Sequence, residues 1–416
     1  MAGPKSIGII GAGIVGLSAA LYLQKDGHTV TILDEREPGS ATSFGNAGVI
    51  VTCAVEPLGT PGVLAEIPKY LLDRSSAVRL RWSYLPRLAP WLVQFVLESR
   101  PHRVRHSAAG LSRILAGAAD AHRELAGLAG AAEVLRPAGW LKVYRTRRGF
   151  DSTQLQRRLM DAHGIGYQVL EPDDIGALEP NLARHFVKGL FHRDSLALSS
   201  PRELLDAYLR HFLAGQGSVR RARCRLAAPR GAGVRIDWDG GSETFDEVVV
   251  AAGAWSGSFC AQLGDRVLLD TERGYHLNLD VADPNLLSRP VCLPELGCVL
   301  APMSDGLRLS SGEELAGLDA PPDYSRIRKL LPLVKEALRG VDFKVTREWM
   351  GRRPSTPDSL PVIGRSPHAR HVIYAFGHQH LGMTLGPVTG RIVADIVANR
   401  PVDIFDYRVE RFDISG

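Results

Sequence analysis

The alternation of apolar and polar residues divides this chain into elements before any single residue is singled out. An apolar run at Ile7–Ile10 leads through a turn into Ile14–Leu23, whose apolar spacing predicts a helix. A second apolar run, Thr29–Leu33, predicts another strand, so the chain opens as strand, turn, helix, strand. Residues 55–130 then read as helical. In "LSRILAGAADAHREL", Leu111, Ile114, Leu115, Ala118, His122 and Leu125 share one helical face, which makes His122 a core or edge histidine rather than a ligand. Strands are predicted at "WLKVYR" from 140, "GYQVL" from 166 and "GYHLNLD" from 274. One hairpin turns at Asp239–Gly241 and enters the apolar strand before "AAG"; a second turns at Asp305 and Gly306. The last part holds a proline-rich corner, "GRRPSTPDSLPVIG", a short strand, "VIYAFG", and a helix, "TGRIVADIVANR". No repeat of 20 to 50 residues is visible, and the mixture of elements predicts an α/β fold.

The opening glycines turn this pattern into chemistry. Gly11, Gly13 and Gly16 fit the G-x-G-x-x-G spacing between a strand and a helix. The first permits the tight turn, the second leaves room for a pyrophosphate at the backbone, and the third lets helix and strand pack closely. Phosphates then rest on a helix N-terminus, with Ile14 and Val15 in its first turn. The second strand ends in Asp34, a carboxylate placed to accept hydrogen bonds from ribose hydroxyls, which disfavours NADP and leaves FAD and NAD open.

Bulk properties narrow the partners. At 416 residues the chain exceeds one typical domain, and a 45% hydrophobic fraction is ample for a core. The net charge of +5 is spread along the chain with no basic run interleaved with aromatics, which argues against nucleic acid. The five cysteines form no C-x-x-C pair, so no metal or iron–sulfur site is expected. The first strand begins too near Met1 for a cleavable signal peptide, giving a cytoplasmic expectation. The stretch "WSYLPRLAPWLVQFVLE" is interrupted by Pro86, Arg87 and Pro90 and falls short of a membrane span. It remains a candidate for peripheral contact with the inner membrane face, against the plainer reading of a buried or partner-facing helix.

Six segments together carry a family resemblance: "IIGAGIVGLSAALYLQKDGHTVTILDEREPG", "TSFGNAGVI", "VVVAAGAWSG", "ERGYHLNL", "WMGRRPSTPDSLPVIG" and "FGHQHLGMTLGPVTGRIVADI". In these the chain resembles the FAD-dependent D-amino-acid oxidase and glycine oxidase superfamily, most closely the small-subunit type of bacterial D-amino-acid dehydrogenase. The resemblance spans the chain from end to end and implies FAD rather than NAD, held non-covalently. It implies a Rossmann-like FAD-binding domain made of residues 1–54, 196–262 and 345–416. An inserted α+β substrate domain with a mixed sheet and a helical insertion would comprise residues 55–195 and 263–344.

The resemblance also implies site residues. Gly11, Gly13 and Gly16 would hold the pyrophosphate, and Asp34, Glu35 and Arg36 the adenosine end. Ser43, Asn46, Ala47 and Gly48 would approach the ribityl chain and isoalloxazine, with Ala252, Gly253 and Trp255 beneath the cofactor. Gly377, Leu381, Gly382, Met383 and Thr384 would serve the flavin's pyrimidine edge, with the last helix starting just beyond them. Arg353 would clamp the substrate carboxylate, a task suited to a planar, permanently charged guanidinium. Arg352 departs from the apolar residue more usual there and is a rival for that task. Tyr275 is expected to donate to the same carboxylate, with core packing the competing reading, while His378, His380 and Gln379 are candidates for the substrate side. The implied reaction is hydride transfer from the α-carbon of a D-amino acid to flavin, giving an imine, then a 2-oxo acid and ammonia, with electrons passed to quinone or another carrier. Alternatives are a cis-4-hydroxy-D-proline dehydrogenase, an O₂-using oxidase, and the flavin subunit of a multichain complex.

Overall fold

The computed structural model describes residues 3–63, 78–226 and 233–413. Its first sheet is built from β1 (Ser6–Ile10), β2 (Thr29–Asp34), β3 (Ser218–Arg221), β4 (Glu247–Val250), β5 (Val362–Arg365) and β6 (Val372–Phe376). They lie in the order β3-β2-β1-β4-β6-β5, parallel except for the edge strand β5. On β1, Ile7–Ile10 pair with Val30–Leu33 on one side and with Glu247–Val250 on the other. The chain leaves β1 in one direction for β2 and returns much later to β4 on the opposite side. That reversal opens a crevice at the carboxyl ends of β1 and β4, the usual binding position in open α/β sheets.

Helix α1 (Ile14–Lys25) joins β1 to β2 and is buried on every side from Ile14 to Leu23, which explains why its sequence is apolar around the full turn. It packs between the sheet, helix Pro201–Ala214 and the final helix, α2 (Gly382–Val397). A methyl on Gly390 of α2 would lie 2.6 Å from the Ser18 backbone, so this crossing depends on a residue without a side chain.

The second sheet is mixed. Its strands run in the order Phe343–Ser355, Asp270–Val281, Gly306–Leu315, Cys298–Met303, Val291–Leu293, Trp140–Tyr144, Lys188–His192 and Gln168–Leu170, with Val78–Leu80 beside Gly306–Leu315. Alternation divides its faces. Leu141, Val143, Leu277, Leu279, Leu307 and Leu309 join an outer core with Ile175, Ile327 and Val334 from short helices. The residues between them, among them His276 and Arg308, face the first sheet's crevice and hold its loops.

Three local departures from the sequence pattern have physical causes. The helix expected across 111–125 is two helices, Pro101–Ala116 and Ala118–Leu128, separated at Gly117. The proline-rich corner continues a strand as far as Ser355, and Pro354 is accommodated because that strand is the sheet's edge. This strand, placed from 345 onward with the nucleotide-binding segments, pairs with Asp270–Val281 of the second sheet. Finally, α2 begins at Gly382 rather than past Thr384, with Pro387 inside it. Proline has no N–H for the Met383 carbonyl four residues earlier. That carbonyl lies 2.8 Å from Nε2 of the buried His122, which donates to it instead.

His122 is therefore structural, kept neutral by burial that pushes its pKa down to about 4. His122→Leu is expected to cost about 1–3 kcal/mol by orphaning the Met383 carbonyl, and to weaken cofactor retention through the first turn of α2. Unchanged unfolding midpoints and cofactor Kd in this variant would refute that role.

Of the 55–98 region considered for membrane contact, residues 64–77 lie outside the described residues. Among the described residues no helix is long and apolar enough to cross a membrane.

Candidate active site

A cavity of about 970 Å³ runs along the carboxyl ends of β1 and β4 and continues beneath the second sheet. At its start, Gly11 has φ +111°, and a methyl there would lie 2.3 Å from the Ala251 carbonyl. A methyl on Gly16 would lie 1.9 Å from the Gly11 carbonyl, so this glycine serves helix–turn packing and does not line the cavity. Gly13, Ile14 and Val15 do line it. Gly13 occupies the N-cap of α1, no acidic residue stands in the first turn, and the Ser43 hydroxyl accepts the Ile14 N–H at 3.1 Å. The helix end thus faces the cavity with backbone donors and no negative side chain, a setting for phosphate.

Asp34 has a task that the sequence pattern did not reveal. One carboxylate oxygen accepts Ala12 N–H at 2.7 Å and the other accepts Arg36 N–H at 2.9 Å. The acid ties the glycine turn to the end of β2 and retains lone pairs toward the cavity it lines. Glu35 and Arg36 line the same end, with the Arg36 guanidinium 4.4 Å from the Trp255 ring centre. Ala252 and Gly253 lie beside Trp255 on the cavity wall.

The small-residue loop is anchored from the second sheet. Arg308 donates to the carbonyls of Asn46 at 2.8 Å and Phe44 at 3.3 Å, and His276 Nδ1 donates to the Gly45 carbonyl at 3.2 Å. The Asn46 side chain accepts Gly48 N–H at 2.8 Å. Asn46 and Ala47 line the cavity, whereas Gly48 packs beside Met303. Trp349 stacks on His276 with ring centres 4.9 Å apart, and a methyl on Gly45 would lie 2.1 Å from the indole. Sequence reasoning missed Arg308, His276, Trp349 and Gly45. The only local signal was the aromatic two residues before Gly351, because the other contacts join segments far apart in the chain.

The C-terminal turn separates its residues by role. His378, Gln379, His380, Gly382 and Met383 line the cavity; Gly377, Leu381 and Thr384 support them. The Thr384 hydroxyl accepts Val51 N–H at 3.0 Å, tying α2 to the small-residue loop. His378 is buried with Nε2 2.9 Å from the Thr389 hydroxyl, so its polar edge is turned into α2. Gln379 adopts φ +51°, uncommon for a residue with a side chain, and its buried Nε2 has no partner. That unsatisfied donor in a cavity wall fits a bound acceptor. His380 is open to the cavity on one side and enclosed by protein elsewhere; burial, then Arg353 and Lys142, push its pKa down to about 4.

Arg353 faces the cavity from the edge strand. It lies over Gly274, where a methyl would come within 2.2 Å of its guanidinium, and it donates to the Gly312 carbonyl at 3.3 Å. Among the described residues no carboxylate lies within ion-pair distance of it, although the buried Glu272, opposite it on the next strand, feels its charge. Arg352 is engaged differently, donating to the Leu318 carbonyl at 2.6 Å and lying 5.8 Å from the Trp255 ring centre. The Tyr275 hydroxyl donates to Glu314 and accepts Asp323 N–H at 3.3 Å, with the ring in the outer core. Tyr275 nevertheless lines the cavity together with Gly274 and Arg353. Tyr275→Phe separates the two readings: a loss of about 1–3 kcal/mol of stability with unchanged substrate KM follows from the Glu314 contact, and a raised KM with intact stability from the carboxylate role.

The cradle, the orphan Gln379 donor and the cavity volume fit an FAD. Among the described residues no cluster of His, Cys, Asp or Glu is arranged to hold a metal ion, and all five cysteines are free thiols.

The chain is 33% identical over 408 residues to a D-amino-acid oxidase of Bradyrhizobium diazoefficiens, covering 96% of each chain. It is 31% identical over 405 residues to a D-amino acid dehydrogenase of Xanthobacter autotrophicus, covering 95% of this chain and 96% of the other. Glycine oxidase from Geobacillus kaustophilus superposes with a TM-score of 0.74 at 22% identity, covering 99% of both chains. L-proline dehydrogenase from P. horikoshii superposes at 0.75 with 17% identity, covering 99% of both. At these identities the two structures establish the fold alone. Residues 6–396 match the family described as FAD dependent oxidoreductase, and the chain belongs to that family.

Proposed function

We propose that this chain oxidises a D-amino acid at its α-carbon, passing two electrons through FAD to a quinone or another carrier. The observation that carries the reading is Arg353: a cavity-facing guanidinium with no carboxylate in ion-pair contact among the described residues, given room by Gly274. The D-configuration is supported by the two relatives' names.

Bound FAD supplies the hydride acceptor; the protein supplies position and environment. Arg353 grips the substrate carboxylate through its planar fork, which fixes the α-carbon relative to the cofactor. His380, held neutral, adds no positive charge beside the substrate amine and offers a hydrogen-bond acceptor. Trp349, Leu58 and Val299 make the wall around this end apolar and limit water. Gly11, Gly13 and the α1 N-terminus would hold the pyrophosphate, and Gln379 with the first turn of α2 would face the isoalloxazine. The released imine hydrolyses to a 2-oxo acid and ammonia.

The acceptor has a second reading, because the 33% identical relative is named an oxidase and would use O₂. Exposed Trp82, Val93 and Val96 on and beside the Leu85–Glu98 helix support a peripheral membrane contact suited to a quinone. Turnover of D-alanine, D-proline and cis-4-hydroxy-D-proline with an artificial electron acceptor tests the reaction. The proposal predicts stoichiometric 2-oxo acid and ammonia from D-alanine and none from L-alanine; product from the L-enantiomer alone would overturn it.

A further inference from the structure

The second sheet brings a carboxylate to the cavity beside Arg353, and the mechanism above leaves it unused. On the Gly306–Leu315 strand, Glu314 stands opposite Arg273, whose guanidinium it meets at 3.3 Å, and Ser311 stands opposite Tyr275. Gly274 alone therefore faces two residues, Gly312 and Glu313, which makes a β-bulge. Gly312 has φ +87°, the left-handed conformation that the first residue of such a bulge takes. The extra residue breaks the strand's alternation, and Glu313 lines the cavity together with Gly274, Gly312 and Arg353.

The charges at this end do not balance once a substrate is bound. Arg353 lies over Gly274 and donates to the carbonyl of Gly312, the residue before Glu313, without forming an ion pair with Glu313. The other nearby cations are engaged elsewhere: Arg273 and Arg79 by Glu314, and Arg352 by the Leu318 carbonyl. A substrate carboxylate on Arg353 neutralises that guanidinium and leaves Glu313 facing the cavity without a counter-charge. The substrate's own α-amino group is the wrong partner for it. That group must be neutral when hydride leaves the α-carbon, and a carboxylate beside it would hold it protonated. A cation farther along the substrate satisfies Glu313 without this conflict, and Leu58, Val299 and Trp349 supply apolar wall for the intervening methylenes.

We infer that Glu313 receives a positively charged group at the end of the substrate's side chain, so that the chain prefers amino acids ending in a guanidinium or ammonium over neutral ones of the same shape. This rests on the reading of Arg353 as the holder of the α-carboxylate.

The test compares kcat/KM of the FAD-loaded protein for D-arginine against D-citrulline and for D-lysine against D-norleucine, alongside calorimetric binding of γ-guanidinobutyrate and butyrate. Glu313 is half-buried, so solvent screens part of the contact and the expected preference for the cation is about tenfold in each comparison. Glu313→Gln should bring the ratios near one and Glu313→Asp should restore a preference; the bound-flavin spectrum reports whether each variant is folded. Asp319→Asn, which removes an exposed acid that also lines the cavity, should leave the ratios in place. Ratios near one in the unmodified protein, or ratios that depend on Asp319 and not on Glu313, overturn the inference while D-amino-acid oxidation stands. Glu313-dependent binding of γ-guanidinobutyrate in a protein that no D-amino acid reduces supports the cation site and overturns the D-amino-acid reading instead.

Discussion

Arg353→Ala is expected to lower kcat/KM by about 10²-fold or more while the protein keeps its FAD. A charge-assisted, two-pronged contact to a carboxylate accounts for about 3 kcal/mol of transition-state stabilisation. The loss should divide between a higher KM and a lower kcat, because the same contact that binds the substrate also fixes the donor carbon relative to the cofactor. Arg353→Lys should recover only part of it, since an ammonium keeps the charge and loses the fork. The neighbouring arginine provides the contrast. Arg352 is engaged by the Leu318 carbonyl and lies near Trp255 at the cofactor's expected adenosine end, so Arg352→Ala should weaken FAD binding more than it lowers kcat. A larger kcat loss in the Arg352 variant than in the Arg353 variant would reverse the assignment.

Substitutions in the glycine cradle should separate folding from cofactor binding. In Gly11→Ala the added methyl meets the Ala251 carbonyl at 2.3 Å on a backbone with φ +111°, and neither β1 nor β4 can withdraw without breaking sheet pairing. The left-handed conformation alone costs about 1–2 kcal/mol, and the clash adds to it, so a total of about 3 kcal/mol or more and loss of FAD are expected. In Gly13→Ala the nearest atom is the Ser43 hydroxyl at 3.3 Å, a contact that small adjustments relieve. That variant should fold with nearly normal stability and still bind FAD poorly, because its methyl occupies the space needed by the pyrophosphate. Unfolding midpoints and FAD titration of the two apoproteins check this; equal stability in both variants would contradict the steric argument.

The parts of this molecule legible in its sequence are those whose physics is local. The β1–α1–β2 unit follows from three glycines and two apolar runs, and the hairpins at Asp239–Gly241 and Asp305–Gly306 follow from turn chemistry. His122 reads as a core residue from its helical face alone, but its partner does not, because the need for a donor arises from Pro387 more than 200 residues later. Asp34 was conspicuous for ribose chemistry, while its two backbone bonds become visible only when the glycine turn folds back over β2. Tyr275 illustrates the limit of motif reading. Its hydroxyl bonds Glu314 from a neighbouring strand, a contact that no motif around position 275 announces, while the residue also lines the cavity. Trp349, Arg308 and Gly45 were illegible for the same reason: their contacts bring together the small-residue loop and two strands of the second sheet.

The central claim is that a D-amino acid, held by Arg353, gives its α-hydrogen to FAD in this cavity. Its most direct test is anaerobic stopped-flow mixing of the FAD-loaded protein with D- and L-enantiomers of alanine and glutamate, following the flavin's visible absorbance. The account predicts rapid bleaching by a D-enantiomer, none by its mirror image, and much slower bleaching in Arg353→Ala. Bleaching by L-enantiomers alone, or an FAD-loaded protein that no amino acid reduces, would contradict it.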